Sequence, residues 1–511
     1  MPTMLPFGSS NHQPGSRRAR IRQFFKPEKA IRKPFRVYVN RNLRLDHTRA
    51  IGLDMDYTLA IYKKEVIEKV AFQTTIEKLI RMKGWPQEIT RLEYDPRSMV
   101  RGLVLDRKLG NVLKIDQYGY VCKVYHGHRR FTDEERRVTY LNSRIRLNND
   151  RFHSVDTLFG LPEAHLFAEL VQFTDGRSAG ERVDYWKLWE DVRECLDLSH
   201  RDGSIKTDVM QNTAKYIVRD RALAPTLDKF RQAGKRLFLL TNSAWDYTDT
   251  LMGFLLNGEM KEYASWTDYF DRIVVESAKP GFFNRADGFL DREGQPVDPK
   301  DLPRHKVLAR GNFRLLERIE SARGDEILFV GDHIYGDILR SKQSSGWRTV
   351  MIVEELEQEL EASLRGEPVM AQLREHEAMA NQLDFERSTA QRKIDRVARE
   401  QSREKTPEAG MVARLAAGAT AQFVRRQQAR VSELDQRIRE NDASMEALKR
   451  DYDRLFNLRW GPLFKDGNEI SRFGQQIQRF ACLYTGKVSN FSSYPPNKYF
   501  QSPIDLMPHD V

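Results

Sequence analysis

Short aliphatic runs, each closed by a polar or charged residue, recur along the first 355 residues of the chain. Five of them, Ala50–Leu53, Arg236–Leu240, Arg272–Val275, Ile327–Val330 and Arg348–Val353, have the texture of strands buried on both faces. Helical periodicity over Thr226–Ala233 and Leu315–Ser321 separates several of them. Alternating strands and helices predict an α/β core built on a doubly wound, Rossmann-like parallel sheet.

The stretch between the first and second of these strands is too long for a single crossover and predicts an inserted domain. It carries hairpin-like segments (Gly102–Leu105, Val112–Ile115 and Tyr120–Tyr125) and helical patterns around Leu161–Phe173 and Tyr185–Leu196. A mixed α/β cap over the carboxyl edge of the sheet accounts for both. Beyond Glu354 the texture turns long, charged and helix-favouring. Val431, Leu434, Ile438, Met445, Leu448, Tyr452 and Leu455 keep a heptad-like spacing, and Lys405–Gly410 breaks the pattern. Two helical arms forming an antiparallel hairpin are expected, either as a coiled coil for oligomerisation or as a helical pair packed on the body. The expected division is a basic flexible extension (1–34), a core (35–60 and 207–355), a cap (61–206), helical arms (356–460) and a C-terminal segment packing on the core (461–511). The end of that segment, from Ser489, is Pro- and aromatic-rich and is expected to wrap the surface as irregular chain.

Composition narrows the function classes. Apolar residues make up 40% and aromatics 10%, which excludes global disorder. No apolar run approaches the roughly 20 residues needed to span a bilayer. Residues 1–15 lack the apolar core of a signal peptide. The three cysteines, Cys122, Cys195 and Cys482, are dispersed and odd in number, which argues against a disulfide framework or zinc site. A cytoplasmic protein is expected, with no membrane partner. The net charge of +11 is concentrated early, in residues such as Arg17, Arg18, Arg20, Arg22, Lys26 and Lys29. It suits either nucleic-acid binding or a basic tail with pockets for small anions. The absence of any helix-turn-helix, zinc-finger or stacking-platform pattern favours the second.

The chemistry lies at the ends of four strands. Asp54 and Asp56 follow the first, and Thr241-Asn242-Ser243 the second. Lys279 comes shortly after the third, and Asp332 and Asp337 follow the fourth. Ligands of open parallel sheets bind outside the carboxyl ends of the strands, so the four stations converge on one crevice. Asp54 can attack phosphorus to form an aspartyl-phosphate, while Asp56 protonates the leaving oxygen and later activates water. Thr241 and Lys279 can hold phosphoryl oxygens and offset charge that develops on them. Asp332, with Asp54 and a backbone carbonyl near Asp56, can hold Mg²⁺, and Asp337 can hold a metal-bound water or orient Lys279. Singly, each has a plainer reading: the aspartates as helix caps, Thr241-Asn242-Ser243 as an N-cap run, Lys279 as a solvated side chain. The joint order outweighs those readings.

With these residues in place the sequence resembles the haloacid dehalogenase-like phosphohydrolases, and more narrowly the cytosolic purine 5′-nucleotidases that prefer IMP and GMP. The resemblance runs from about Phe35 to Asp510. It includes Asp54-Met55-Asp56-Tyr57-Thr58-Leu59-Ala60, Arg101-Gly102-Leu103-Val104, Gly331-Asp332-His333-Ile334 and Arg479-Phe480-Ala481-Cys482-Leu483-Tyr484. It implies an Mg²⁺-dependent enzyme with Asp54 as nucleophile, Asp56 as acid/base and Asp332 as metal ligand. Thr241 and Lys279 would hold phosphate, with Asn242 and Ser243 lining that pocket and Lys206 as a further phosphate contact. Phe159 matches the ring that stacks on the base, and Arg193, Asp197 and His200 match polar base- and sugar-side contacts.

Arg193 and Asp197, four apart on a predicted helix, share a face and can pair with a ring carbonyl and a ring N–H. Asp156 stands where the family has an amide near the base, which bears on base preference. Arg146 and Arg479 match part of a basic effector pocket, but Gln343 replaces one of its lysines, which counts against activation by nucleotides. The expected activity is hydrolysis of purine nucleoside monophosphates, with transfer to a second nucleoside as a side reaction, in a homo-oligomer (dimer or tetramer). A phosphatase for sugar phosphates, and a basic non-enzymatic scaffold, are the rival readings.

Overall fold

The computed structural model describes residues 31–140, 144–147, 149–177, 182–403 and 411–503. The early basic cluster up to Lys29, the Lys405–Gly410 break and residues 504–510 at the end of the family resemblance lie outside the described residues.

Among the described residues, nine strands form the central sheet. Their spatial order is Tyr38–Val39, Leu483–Thr485, Arg348–Ile352, Ile327–Gly331, Ala50–Leu53, Arg236–Leu240, Arg272–Val275, Val307–Arg310 and Phe289–Leu290. The seven inner strands run parallel, and the strand at each edge is antiparallel to its neighbour. The five strands expected from sequence are present. Three of the other four are only two or three residues long. Runs so short carry too little apolar signal to read locally.

Register places the chemistry. Leu53 lies opposite Leu239 on one side and Val330 on the other, so the carboxyl ends of these strands are level. The sheet packs this tightly because Gly52 carries no side chain. A Cβ there would sit 2.3 Å from the Phe238 ring and 2.8 Å from Phe329. Phe238, Phe283, Phe313, Phe329 and Trp347 fill the core on this side, with Phe283 and Trp347 edge to face at 5.4 Å. Each such ring contributes about 1.5–3 kcal/mol by leaving water.

The inserted region folds as a five-stranded antiparallel sheet, ordered Arg129–Arg130, Val121–His126, Asn111–Ile115, Val104–Asp106 and Phe152–Ser154. Its helices include Lys64–Lys83, Leu161–Asp175, Tyr185–Arg201 and Ser204–Gln211. Asp184 starts the Tyr185–Arg201 helix by accepting from the backbone N–H of Trp186 and Lys187, both at 3.1 Å. A two-residue ribbon, Ile61–Tyr62 against Ile217–Val218, ties the chain entering this region to the chain leaving it.

The C-terminal segment does more than wrap the surface. Leu483–Thr485 enters the central sheet beside Arg348–Ile352, and Tyr499–Phe500 pairs with Leu43–Arg44. Phe491, Tyr494 and Phe500 are buried, because aromatic residues this large are driven inside even where the chain is irregular.

Residues 361–462 form a separate compact unit. Its helices, Glu367–Arg403 and Met411–Arg454, run antiparallel, with Leu373, Leu383, Ala390 and Leu434 buried. Asn441 fills the heptad position between Ile438 and Met445 and is buried. Its side chain meets His376 on the facing helix at 2.7 Å (Oδ1 to Nδ1) and 3.1 Å (Nδ2 to the carbonyl). A buried amide in an apolar seam fixes register at some cost in stability.

Candidate active site

The level strand ends bring the four stations together. The Asp54 backbone N–H donates to the Val330 carbonyl at 2.9 Å, and that of Thr241 to the Val274 carbonyl at 3.0 Å. The ladder thus continues one residue past the strands and locks both residues. Lys279 reaches Asp54 Oδ1 at 2.9 Å and Asp337 Oδ1 at 2.7 Å. Its loop is shaped by Glu276 and Ala278, both in the left-handed region at φ +48° and +55°, where non-glycine residues cost of order 1–3 kcal/mol each. Asn242 holds that loop in place. Its Oδ1 accepts from Ser277 Oγ (2.9 Å) and the Lys279 N–H (2.6 Å), and its Nδ2 donates to the Lys279 carbonyl (3.0 Å).

Asp54, Asp332 and Asp337 are buried, with one oxygen from each within 4.8 Å of the others. Burial is the first cause pushing the carboxyls of Asp54 and Asp332 up, and the neighbouring carboxylates add to it. Burial also works against the charge on Lys279, but Asp337 and Asp54 outweigh it and raise its pKa. Three crowded carboxylates facing one ammonium leave negative charge that a hard divalent cation would neutralise, and the all-oxygen donor set fits Mg²⁺. Asp337, expected in a supporting position, joins this cluster directly. It fits because Gly331 has no Cβ, which would stand 2.5 Å from Asp337 Oδ2. The Asp56 carboxylate is turned elsewhere, accepting from Tyr62 Oη (2.6 Å) and Ser243 Oγ (2.8 Å). Arg101, fully buried, braces the site by donating to the Asp332 carbonyl at 3.1 Å while gripping Glu355.

A cavity of about 540 Å³ opens from Asp56, Asn242 and Ser243 into the cap. Phe159, Arg193, Asp197, His200, Lys206 and Asp156 all line it. Phe159 is partly exposed and stands edge-on to Tyr57 at 4.8 Å and His200 at 5.7 Å. Arg193 donates to both oxygens of Glu163 (3.1 and 2.9 Å) and pairs with Asp197 at 3.3 Å. The ammonium of Lys206 lies 5.0 Å from the centre of the Tyr247 ring. Burial lowers the His200 and His153 pKa values, the latter to about 4, so both imidazoles are neutral at pH 7.

The family model described as the 5′ nucleotidase family matches residues 37–511. The chain belongs to the 5′ nucleotidase family. A 5′-nucleotidase domain-containing protein of Dictyostelium discoideum is 28% identical over 494 residues, covering 93% of this chain and 75% of that protein. The human 5′-nucleotidase domain-containing protein 2 is 29% identical over 378 residues, covering 70% of this chain and 71% of its own. Among solved structures, CbbY from Rhodobacter sphaeroides in complex with phosphate is 15% identical, with a TM-score of 0.23, over 60% of this chain and 86% of that one. Family membership makes the protein a phosphoric monoester hydrolase.

Several residues of this family member sit differently from the sequence expectation. Asn242 and Ser243 line the cavity, but their side chains position Lys279 and Asp56. Asp156 is held by Arg472 at 2.9 Å and by Ser154 at 2.6 Å, and burial is opposed by Arg472, which lowers its pKa. Arg146, Arg479 and Gln343 are exposed, and none of the three lines the cavity. Sequence reasoning missed Tyr62, Tyr247, Glu163 and Arg472. Tyr62 and Glu163 stand close to Asp56 and Phe159 in the chain and were within reach. Arg472 is 316 residues from Asp156 and left no local signal.

Proposed function

We propose that the protein hydrolyses purine nucleoside 5′-monophosphates, IMP and GMP foremost, with Mg²⁺ and through an aspartyl-phosphate on Asp54. The observation that carries this reading is one cavity holding Phe159, Arg193, Asp197, His200 and Lys206 together with Asp56 and Ser243. Phe159 offers a face for the base. Arg193 can donate to a 6-oxo group, and the partly exposed Asp197 can accept from the ring N–H beside it.

Asp54 Oδ1 is occupied by Lys279 and the Met55 N–H, which leaves Oδ2 to attack phosphorus. As the new oxygen–phosphorus bond forms, the bond to the nucleoside 5′-oxygen breaks and Asp56 gives that oxygen its proton. Asp56, now ionised and oriented by Tyr62 and Ser243, takes a proton from water. That water attacks phosphorus, the bond to Asp54 breaks, and phosphate leaves with Asp54 restored. A nucleoside 5′-hydroxyl in place of water gives transfer instead of hydrolysis. Lys279 and the backbone after Thr241 stabilise the phosphoryl oxygens throughout. Asp332 and Asp337, with Asp54 beside them, would hold Mg²⁺, which when bound would offset negative charge at those oxygens.

The reading extends to a cytoplasmic homo-oligomer. No helix among the described residues is long and apolar enough to cross a membrane. The helical hairpin exposes Met379, Phe385 and Phe423, which suit contact with a second copy.

Phosphate release from a panel of nucleoside and sugar phosphates tests the proposal, with Mg²⁺ or EDTA and with inosine as a second acceptor. Metal-dependent release fastest for IMP or GMP is expected. A preference for sugar phosphates would overturn the purine assignment, and equal rates in EDTA would overturn the metal.

A further inference from the structure

His333 directly follows Asp332 and lines the cavity with Asn242, Ser243 and Asp156. Its imidazole caps the Ile334–Leu339 turn: the backbone N–H groups of Tyr335 and Gly336 donate to Nδ1 at 3.1 and 2.7 Å. A ring nitrogen that accepts carries no hydrogen, so the proton is on Nε2, and that nitrogen is a donor. The same two bonds hold the ring in place. A Cβ on Gly336 would meet Nδ1, Cγ and Cε1 at 3.3, 3.5 and 3.7 Å, so that edge faces the backbone. Nε2 lies on the far side of the ring. It makes no hydrogen bond among the described residues, yet water can reach it, unlike the buried polar atoms left without partners.

The donors around it are engaged within the protein. Ser243 Oγ and Tyr62 Oη donate to Asp56, and Asn242 Nδ2 donates to the Lys279 carbonyl. Asp156, whose charge acts on His333, takes its hydrogen bonds from Arg472 and Ser154 instead. His333 therefore shows the cavity a fixed N–H with no acceptor of its own.

We infer that His333 contacts the substrate, donating a hydrogen bond from Nε2 to an oxygen of the phosphate ester bound in this cavity. The inference rests on the reading of the cavity as the substrate site. The acceptor is a phosphoryl oxygen or an oxygen of the sugar, the two oxygen-rich parts of a nucleotide beside the reacting bond. The ring is held before substrate arrives, so the contact costs little freedom.

Two substitutions separate the cap from the donor. His333→Asn puts an amide oxygen where Nδ1 stands and leaves nothing at Nε2, while His333→Gln reaches the Nε2 position and gives up the cap. The experiment measures phosphate release from IMP, 2′-deoxy-IMP and p-nitrophenyl phosphate by wild type and both variants. The thermal midpoint and the Mg²⁺ concentration for half-maximal rate are read alongside. His333→Asn is expected to lower kcat/KM for IMP about tenfold or more, with midpoint and Mg²⁺ requirement unchanged. His333→Gln should lower the midpoint but, at saturating Mg²⁺, lose less in kcat/KM. A loss shared by p-nitrophenyl phosphate assigns the acceptor to the phosphoryl group. A loss confined to nucleotides assigns it to the sugar, and to the 2′-hydroxyl if 2′-deoxy-IMP is spared.

An unchanged kcat/KM for every ester in His333→Asn would overturn the inference. So would a loss in that variant with a midpoint or Mg²⁺ requirement shifted as far as in His333→Gln, which marks a cap alone. Wild type that hydrolyses p-nitrophenyl phosphate but no nucleotide would overturn the nucleotide reading, while that ester still decides the contact of His333.

Discussion

The carboxylate cluster and the cavity that opens beside it from Asp56 are built by different means. At the cluster, the phosphate end, Asp54 and Thr241 follow their strands directly and are locked by backbone N–H groups that donate to carbonyls of the neighbouring strands. Burial there is nearly complete, with Asp54, Lys279 and Asp332 all under a tenth exposed. At the nucleoside end, Phe159, Arg193 and Lys206 come from separate helical segments of the cap. They are held by side-chain pairs, and the Arg193 and Asp197 side chains are each 45% exposed. A rigid, dry end suits charge stabilisation, which needs groups fixed before the reaction. A wetter end held by side chains suits recognition, which can change without disturbing the chemistry. Substitutions should therefore divide sharply between kcat and KM.

The largest effect is expected at the nucleophile. Asp54→Asn should lower kcat about 10⁴-fold or more with the fold intact, measured as phosphate release from IMP. An unchanged rate would remove Asp54 from the reaction and end the contrast. Next comes Lys279→Ala, which should cost roughly 10²–10³-fold in kcat. It also leaves Asp54 and Asp337 buried without their cation, so the thermal midpoint should fall too. Arg193→Ala should act at the other end, raising KM for IMP about tenfold with little change in kcat. If kcat fell as far as it does for Lys279→Ala, the two ends would not be separable.

The smallest effect concerns stability and pH. Burial pushes the Glu163 carboxyl from its ordinary 4.5 up to about 7, against the pull of Arg193 and with Asp197 adding like charge. The unfolded chain releases this proton near 4.5, while the folded protein keeps it to about 7. Between those values the folded state binds more protons, so stability falls as pH rises. Glu163→Gln removes that titration. The urea midpoint of wild type should therefore drop relative to the variant from pH 4.5 to pH 7, and a constant difference would count against the shift.

Legibility followed the same division. The phosphate end could be read because its residues follow apolar runs that announce themselves as buried strands, and Ala50–Leu53, Arg236–Leu240 and Arg272–Val275 fold within those bounds. The cap residues were reached through family resemblance, since Phe159 or Lys206 alone is indistinguishable from ordinary helix surface. Asn242 shows the limit even at the legible end. It lines the cavity, but its amide clamps the Lys279 loop, because a side chain with two donors and an acceptor takes the nearest backbone partners.

The amino-acid sequence alone determined which groups stand at the strand ends and in what order, because burial and periodicity act over a few neighbouring residues. Tertiary structure decided the level register that makes those ends one site and the entry of Asp337 into the carboxylate cluster. It also decided the neutralisation of Asp156 by Arg472. Each of these depends on distances between segments remote in the chain, which local pattern does not encode. The electrostatics of a buried charge are set by whatever the fold places beside it.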